Sequence, residues 1–218
     1  MSIQLTDRAP AGAEPAPGGD ARRIRRRRIR AILAGGLVLG VGAAITLAAW
    51  NDSEFATGTF TSGSFNLQGS TDGTTFTDHA SSGAAASATF STGFNSLSPG
   101  DTVAAPFVLR LDSTTTNNAS VIAASATTTG AATANLTYKI VVVANVAGCT
   151  PAAAGTSTVV PATTGMNAVT GATAFALAKG TGGAAGAPVV LCLQVTAGPS
   201  LTQNTTATAT WGFTATSQ

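Results

Sequence analysis

Past Ala48 the chain holds few groups with which to do chemistry: one histidine, two cysteines and six carboxylates among long runs of Thr, Ser, Ala and Gly. His79 stands in "FTDHASSG", directly after Asp78. A zinc site needs several His or Cys ligands at short spacing, and the sequence has no such group. Neighbours on an extended chain point to opposite faces, so Asp78 and His79 do not form a pair, and His79 reads as a solvated loop residue. Serine is plentiful, but no G-x-S-x-G elbow presents one as a nucleophile. The glycines lie among Thr and Ala, without the strand-to-helix setting of a phosphate or dinucleotide loop. Asp52, Glu54, Asp72, Asp78, Asp101 and Asp112 lack EF-hand spacing and read as turn formers. The expectation is a protein with no catalytic residues, no metal and no cofactor.

Charge separates the chain into two parts. Of eleven Lys and Arg, eight precede Ala31, and only Arg110, Lys139 and Lys179 lie beyond Ala48. The basic residues therefore form one short arm and not a folded basic face, which argues against a nucleic-acid partner. Residues 1–21 are rich in Pro, Gly and Ala and read as a disordered arm. Then "RRIRRRRIR" leads into "AILAGGLVLGVGAAITLAA", nineteen residues without a charge. A basic segment, an apolar segment and small residues before a cut make a signal peptide over 22–48. The same apolar length also suffices to span a membrane as an uncleaved anchor. On either reading the arginines stay in the cytoplasm and the rest is exported, to the cell surface or beyond. Two cysteines in an exported domain, Cys149 and Cys192, favour one disulfide; two buried free thiols are the other reading.

The elements that would position these residues are strands. "TATATWGFTAT" sets Ala207, Ala209, Trp211, Phe213 and Ala215 on one face and threonines on the other. "TVAAPFVLRL", "NLTYKIVVV" and "VVLCLQV" alternate in the same way, and "LSPGD" carries the Pro-Gly order of a type II turn. Strands are expected around Phe65, Phe76, Phe90, Phe107, Ile122, Tyr138, Phe175, Leu191 and Trp211, with Pro106 at an edge or a bulge. The stretch 146–187 is low in complexity, and only "TAFALA" within it reads as a strand. Many short alternating strands imply an all-β antiparallel sandwich over residues 61–218. So little charge leaves its strand edges open to strand addition, a liability for a cytosolic enzyme and a requirement for a subunit that polymerises.

"AAWNDSEFATGTFTSGSFNL", the turn at Pro99, Gly100 and Asp101, and the terminal "TWGFTATSQ" together resemble the TasA/camelysin family of exported bacterial proteins, specifically actinobacterial members with SipW-dependent signal peptides. The resemblance implies a jelly-roll-like sandwich behind a hydrophobic signal helix. It also implies a signal peptidase of the SipW type as a partner, cutting between Ala48 and Ala49. The freed segment 49–60, anchored by Trp50, Phe55 and Phe60, would then insert as a strand into the next copy and build a fibre. No zinc-binding pair is present, so the protease activity described for camelysin is not carried over. The expected function is thus a secreted structural subunit of a cell-surface or biofilm-matrix fibre. The alternative is a membrane-anchored extracellular sandwich that binds carbohydrate or a surface protein.

Overall fold

The structure, a computed structural model, describes residues 19–46 and 53–218, with side chains from 22 to 38 and from 53 onward. The expected cut at Ala48 and Ala49 and the expected anchor Trp50 lie outside the described residues, as does nearly all of the N-terminal arm. The chain divides into two compact units, Met1–Thr59 and Phe60–Gln218.

In the first unit, helix α1 spans Gly19–Thr46. Arg, Ala, Leu and Ile are adequate helix formers, and the segment has no proline. Its arginines are exposed, and so are Ile32, Leu33, Leu37 and Val38. Among the described residues no helix is long and apolar enough to cross a membrane. The side chains of the apolar run from Leu39 onward are not among those described.

The second unit is a β-sandwich. Its strands are β1 (Leu67–Ser70), β2 (Thr102–Leu111), β3 (Ala119–Thr129), β4 (Leu136–Val143), β5 (Ser157–Gly165), β6 (Phe175–Leu177), β7 (Val189–Ala197) and β8 (Thr208–Ser217). One sheet has the order β1-β2-β7-β4-β5 and the other β6-β3-β8, with every pairing antiparallel. The main core lies between them. Leu109, Leu111, Tyr138, Ile140, Leu191 and Leu193 from the larger sheet meet Ala119, Val121, Ala123 and Leu177 from the smaller. These are the inward positions that period-two alternation selects.

The larger sheet is covered on its other face as well. Ala104, Val108, Val141, Val143, Val190 and Cys192 form a second cluster under Phe76, Val146, Cys149 and Ala153. This double burial explains why β7 reads as an almost unbroken apolar run. The cover is a flap, residues 144–156, held in two ways. Cys149 and Cys192 form a disulfide. Beside it, Gln194 is 2% exposed, and its Nε2 donates toward the carbonyl oxygens of Thr150 at 2.8 Å, Ala153 at 3.0 Å and Pro151 at 3.1 Å. Two amide hydrogens thus serve three carbonyls on one loop. The other amide atom, Oε1, is buried without a partner among the described residues.

The expected turn forms at "LSPGD": Gly100 has φ 92°, and the Asp101 N–H donates to the Ser98 carbonyl at 3.0 Å. Other expectations need correction. Phe90 lies on no strand, and near Phe76 there is only an isolated bridge between Gly69 and Thr77. The strand expected around Phe65 begins two residues later, at Leu67. Pro106 is on neither an edge strand nor a bulge; β2 runs inside the sheet and pairs with β7 at that residue. Proline is tolerated because β1 reaches only as far as Val108, so the other flank of β2 at Pro106 has no strand to bond. The stretch 146–187 holds β5 in addition to the expected β6. In β5 the adjacent Val159 and Val160 are both buried, and its register with β4 slips twice, so alternation is broken and the strand is hidden from a period-two reading.

Candidate functional site

Strand β8 forms one border of the smaller sheet; among the described residues it pairs only with β3, and its other edge has no strand beside it. Alternation sends Ala209, Trp211 and Phe213 inward and leaves Thr208, Thr214 and Thr216 exposed. Phe213 stacks on Phe107 of the opposite sheet with ring centroids 5.7 Å apart, and Trp211 meets Tyr138 at 5.5 Å and Phe90 at 6.4 Å. Between the sheets along this edge lies a cleft of about 810 Å³, with Phe90, Phe107, Leu109, Leu193, Trp211 and Phe213 among its walls. Tyr138 donates its hydroxyl to the Ala168 carbonyl at 2.6 Å. Burial pushes its phenol pKa up, and the neighbouring Trp211 opposes the shift. Trp211 is no full partner in return, for its buried indole Nε1 makes no hydrogen bond among the described residues.

His79 stands on the rim of this cleft. Its Nδ1 lies 3.1 Å from the Ala84 carbonyl, which can only accept, so Nδ1 carries the hydrogen and Nε2, 3.2 Å away, accepts from the Thr77 hydroxyl. The ring is half-buried, and both contacts lie within its own loop, two and five residues away, so His79 is a loop histidine as expected, though one held locally and not wholly solvated. Among the described residues no three His, Cys, Asp or Glu gather as metal ligands would.

Two aspartates hold the loops next to the rim. Asp72 accepts from the Thr75 N–H, the Thr74 N–H and the Ser70 hydroxyl, and these three donors depress its pKa below the ordinary value of 3.8. At Asp112 desolvation works the other way, but donors from Thr115, Asn66 and Thr114 outweigh it and the pKa is again lowered. Both groups therefore bind protons more weakly folded than unfolded. Their contribution is present above the unfolded pKa and is lost as pH falls through the folded values. In thermal melts from neutral pH into acid, the wild-type sandwich should lose stability below about pH 4, and Asp72→Asn should flatten that limb. An unchanged acid limb in Asp72→Asn would show that this turn contributes nothing to it.

The structure places the other expected residues as follows. Cys149 and Cys192 come together. Phe55 and Phe60 are each 95% exposed, on a stretch with no helix or strand. The cleft itself is not evident from the sequence. Its inward face on β8 is, but the free edge appears only once strand order is known.

No protein-family model matches the chain, and no curated protein matches it.

Proposed function

We propose that this chain is a secreted structural subunit of a cell-surface or biofilm-matrix fibre, assembling by β-strand addition after its leader is removed. The observation that carries the reading is a missing pair in the strand order. Strand β4 pairs with β5, β3 with β6 and β2 with β7, as in a long hairpin rolled into two sheets. An eight-stranded jelly roll would complete the series with β1 on β8. Here β1 pairs with β2 instead, and among the described residues the edge of β8 is left without a neighbour above an aromatic cleft. Such an edge takes an added strand, whose backbone bonds to β8 while alternate side chains fill the cleft.

The donor we assign is residues 49–60 of a second copy. Large aromatic side chains as exposed as Phe55 and Phe60 are the kind that find a pocket on a partner. A donor at one end and an acceptor on β8 make a head-to-tail contact, which propagates as an open filament. Several features support export. The disulfide fits an oxidising compartment. Exposed arginines followed by exposed Ile32, Leu33, Leu37 and Val38 on α1 fit a signal helix cut by a peptidase of the SipW type between Ala48 and Ala49. The resemblance to the TasA/camelysin family points the same way.

Electron microscopy tests the proposal directly. Protein beginning at Ala49 should form filaments, whereas protein beginning at Thr61 should stay folded and monomeric. Filaments that persist without residues 49–60 would rule out this donor. The alternative, a binding module tethered by an uncleaved leader, draws on the same aromatic cleft. It requires a monomer that binds glycan or a surface protein, and N-terminal sequencing of extracellular material starting at Ala49 would exclude it.

A further inference from the structure

Segment Ala85–Phe90 lies across the cleft from β8 and lines the same cavity. Ala86, Ala88 and Phe90 are half-buried, while Ala85, Ser87 and Thr89 are exposed, the alternation of an extended strand. Yet none of its backbone groups makes a hydrogen bond among the described residues. Its two ends are fastened. Before it, the Ala84 carbonyl accepts from His79. After it, the Ser91 N–H donates to the Ala104 carbonyl at 2.8 Å, and the Ala104 N–H donates back to the Ser91 hydroxyl at 3.1 Å. Among the described residues its one aromatic pair is Phe90 against Trp211, at the edge of the core. A segment that is half alanine, fastened at both ends and without backbone bonds between them, makes a cover that can lift without breaking a sheet.

We infer that Ala85–Phe90 is a resident strap that forms the wall of the acceptor cleft opposite β8 in the free subunit and lifts when the strand of a second copy pairs with β8. This rests on the strand-addition reading and adds a control on it. The closed strap narrows the cleft beside Trp211 and so slows the entry of unrelated strands. The incoming Phe55 or Phe60 replaces Phe90 on Trp211, and the backbone bonds to β8, which the strap never makes, drive the exchange.

The test uses the mature chain with preformed filament seeds. Phe90→Ala removes the strap's one aromatic contact. Ala88→Asp places a charge at a half-buried strap position, outside every strand. Both should speed seeded elongation by roughly three- to tenfold, the loss of one aromatic contact expressed as a rate. If Phe90→Ala fails to fold, Ala88→Asp still decides the matter. Unchanged elongation in a folded variant overturns the strap, and so does slower elongation, because the segment would then be part of the acceptor. Hydrogen exchange on the wild type gives a second readout. On assembly the amides of β8 should slow while those of 85–90 stay fast, and slowing of 85–90 would also overturn the inference. Failure of the wild type to elongate at all would instead overturn the strand-addition reading itself.

Discussion

In a Gln194→Glu variant the melting temperature should drop by roughly 10 °C at neutral pH, and part of that loss should return as the pH is lowered toward 4. The native amide is suited to its place because Nε2 faces three carbonyl oxygens, at 2.8, 3.0 and 3.1 Å. A carboxylate there would turn negative oxygen toward three acceptors at a site only 2% exposed. Burial and those carbonyls would raise its pKa above the ordinary value of about 4.3. The folded state would then hold the proton more tightly than the unfolded one. Stability falls as pH rises from the unfolded pKa to the folded pKa, and stays low above it. Recovery in acid is incomplete because a protonated Glu donates one hydrogen where the amide donates two. Melts across that pH range check the outcome, and a pH-independent loss would mean that the new side chain swings out to solvent.

Removing the disulfide should cost about 4 kcal/mol, or roughly 8–16 °C in melting temperature, by reduction or by replacing both cysteines with serine. The figure follows from the sequence separation of 43 between Cys149 and Cys192, whose loop is closed in the unfolded chain as well. The core between the sheets does not contain the bond, so the variant should still fold, with faster amide exchange confined to the flap and to the valines beneath it. Combined with Gln194→Glu, the loss should fall short of the sum, because both changes release the same flap. Strict additivity in thermal or denaturant unfolding would show that disulfide and amide hold independent parts.

Much of the sandwich is legible from alternation alone. Val103, Leu109, Tyr138, Ile140, Leu191, Leu193 and Val195 all face the core on the side that the pattern assigns them. Alternation fails where the backbone departs from a simple strand. Val159 and Val160 are buried side by side on a strand whose register slips, and Thr163 sits at φ 64°, a rare setting for a β-branched residue. It also misleads at Phe90, which has the local pattern of a strand without a backbone partner. The flap is hidden for a different reason. Gln194 carries no sign in the sequence that its amide will meet three carbonyls brought up by a loop some forty residues earlier. The acceptor edge is a matter of topology, and no window of residues around Trp211 reveals that β1 has taken another place.

The smaller sheet has one more property with a consequence. Strands β3, β6 and β8 contain no Asp, Glu, Lys, Arg or His, so a strand approaching that side meets no Coulomb field from the sheet itself. Arrival is then governed by diffusion and shape, in the slow range of about 10⁵–10⁶ M⁻¹s⁻¹ typical of unsteered encounters. Any dependence of that rate on ionic strength then comes from charges outside the sheet, such as Asp52 and Glu54 on the donor segment.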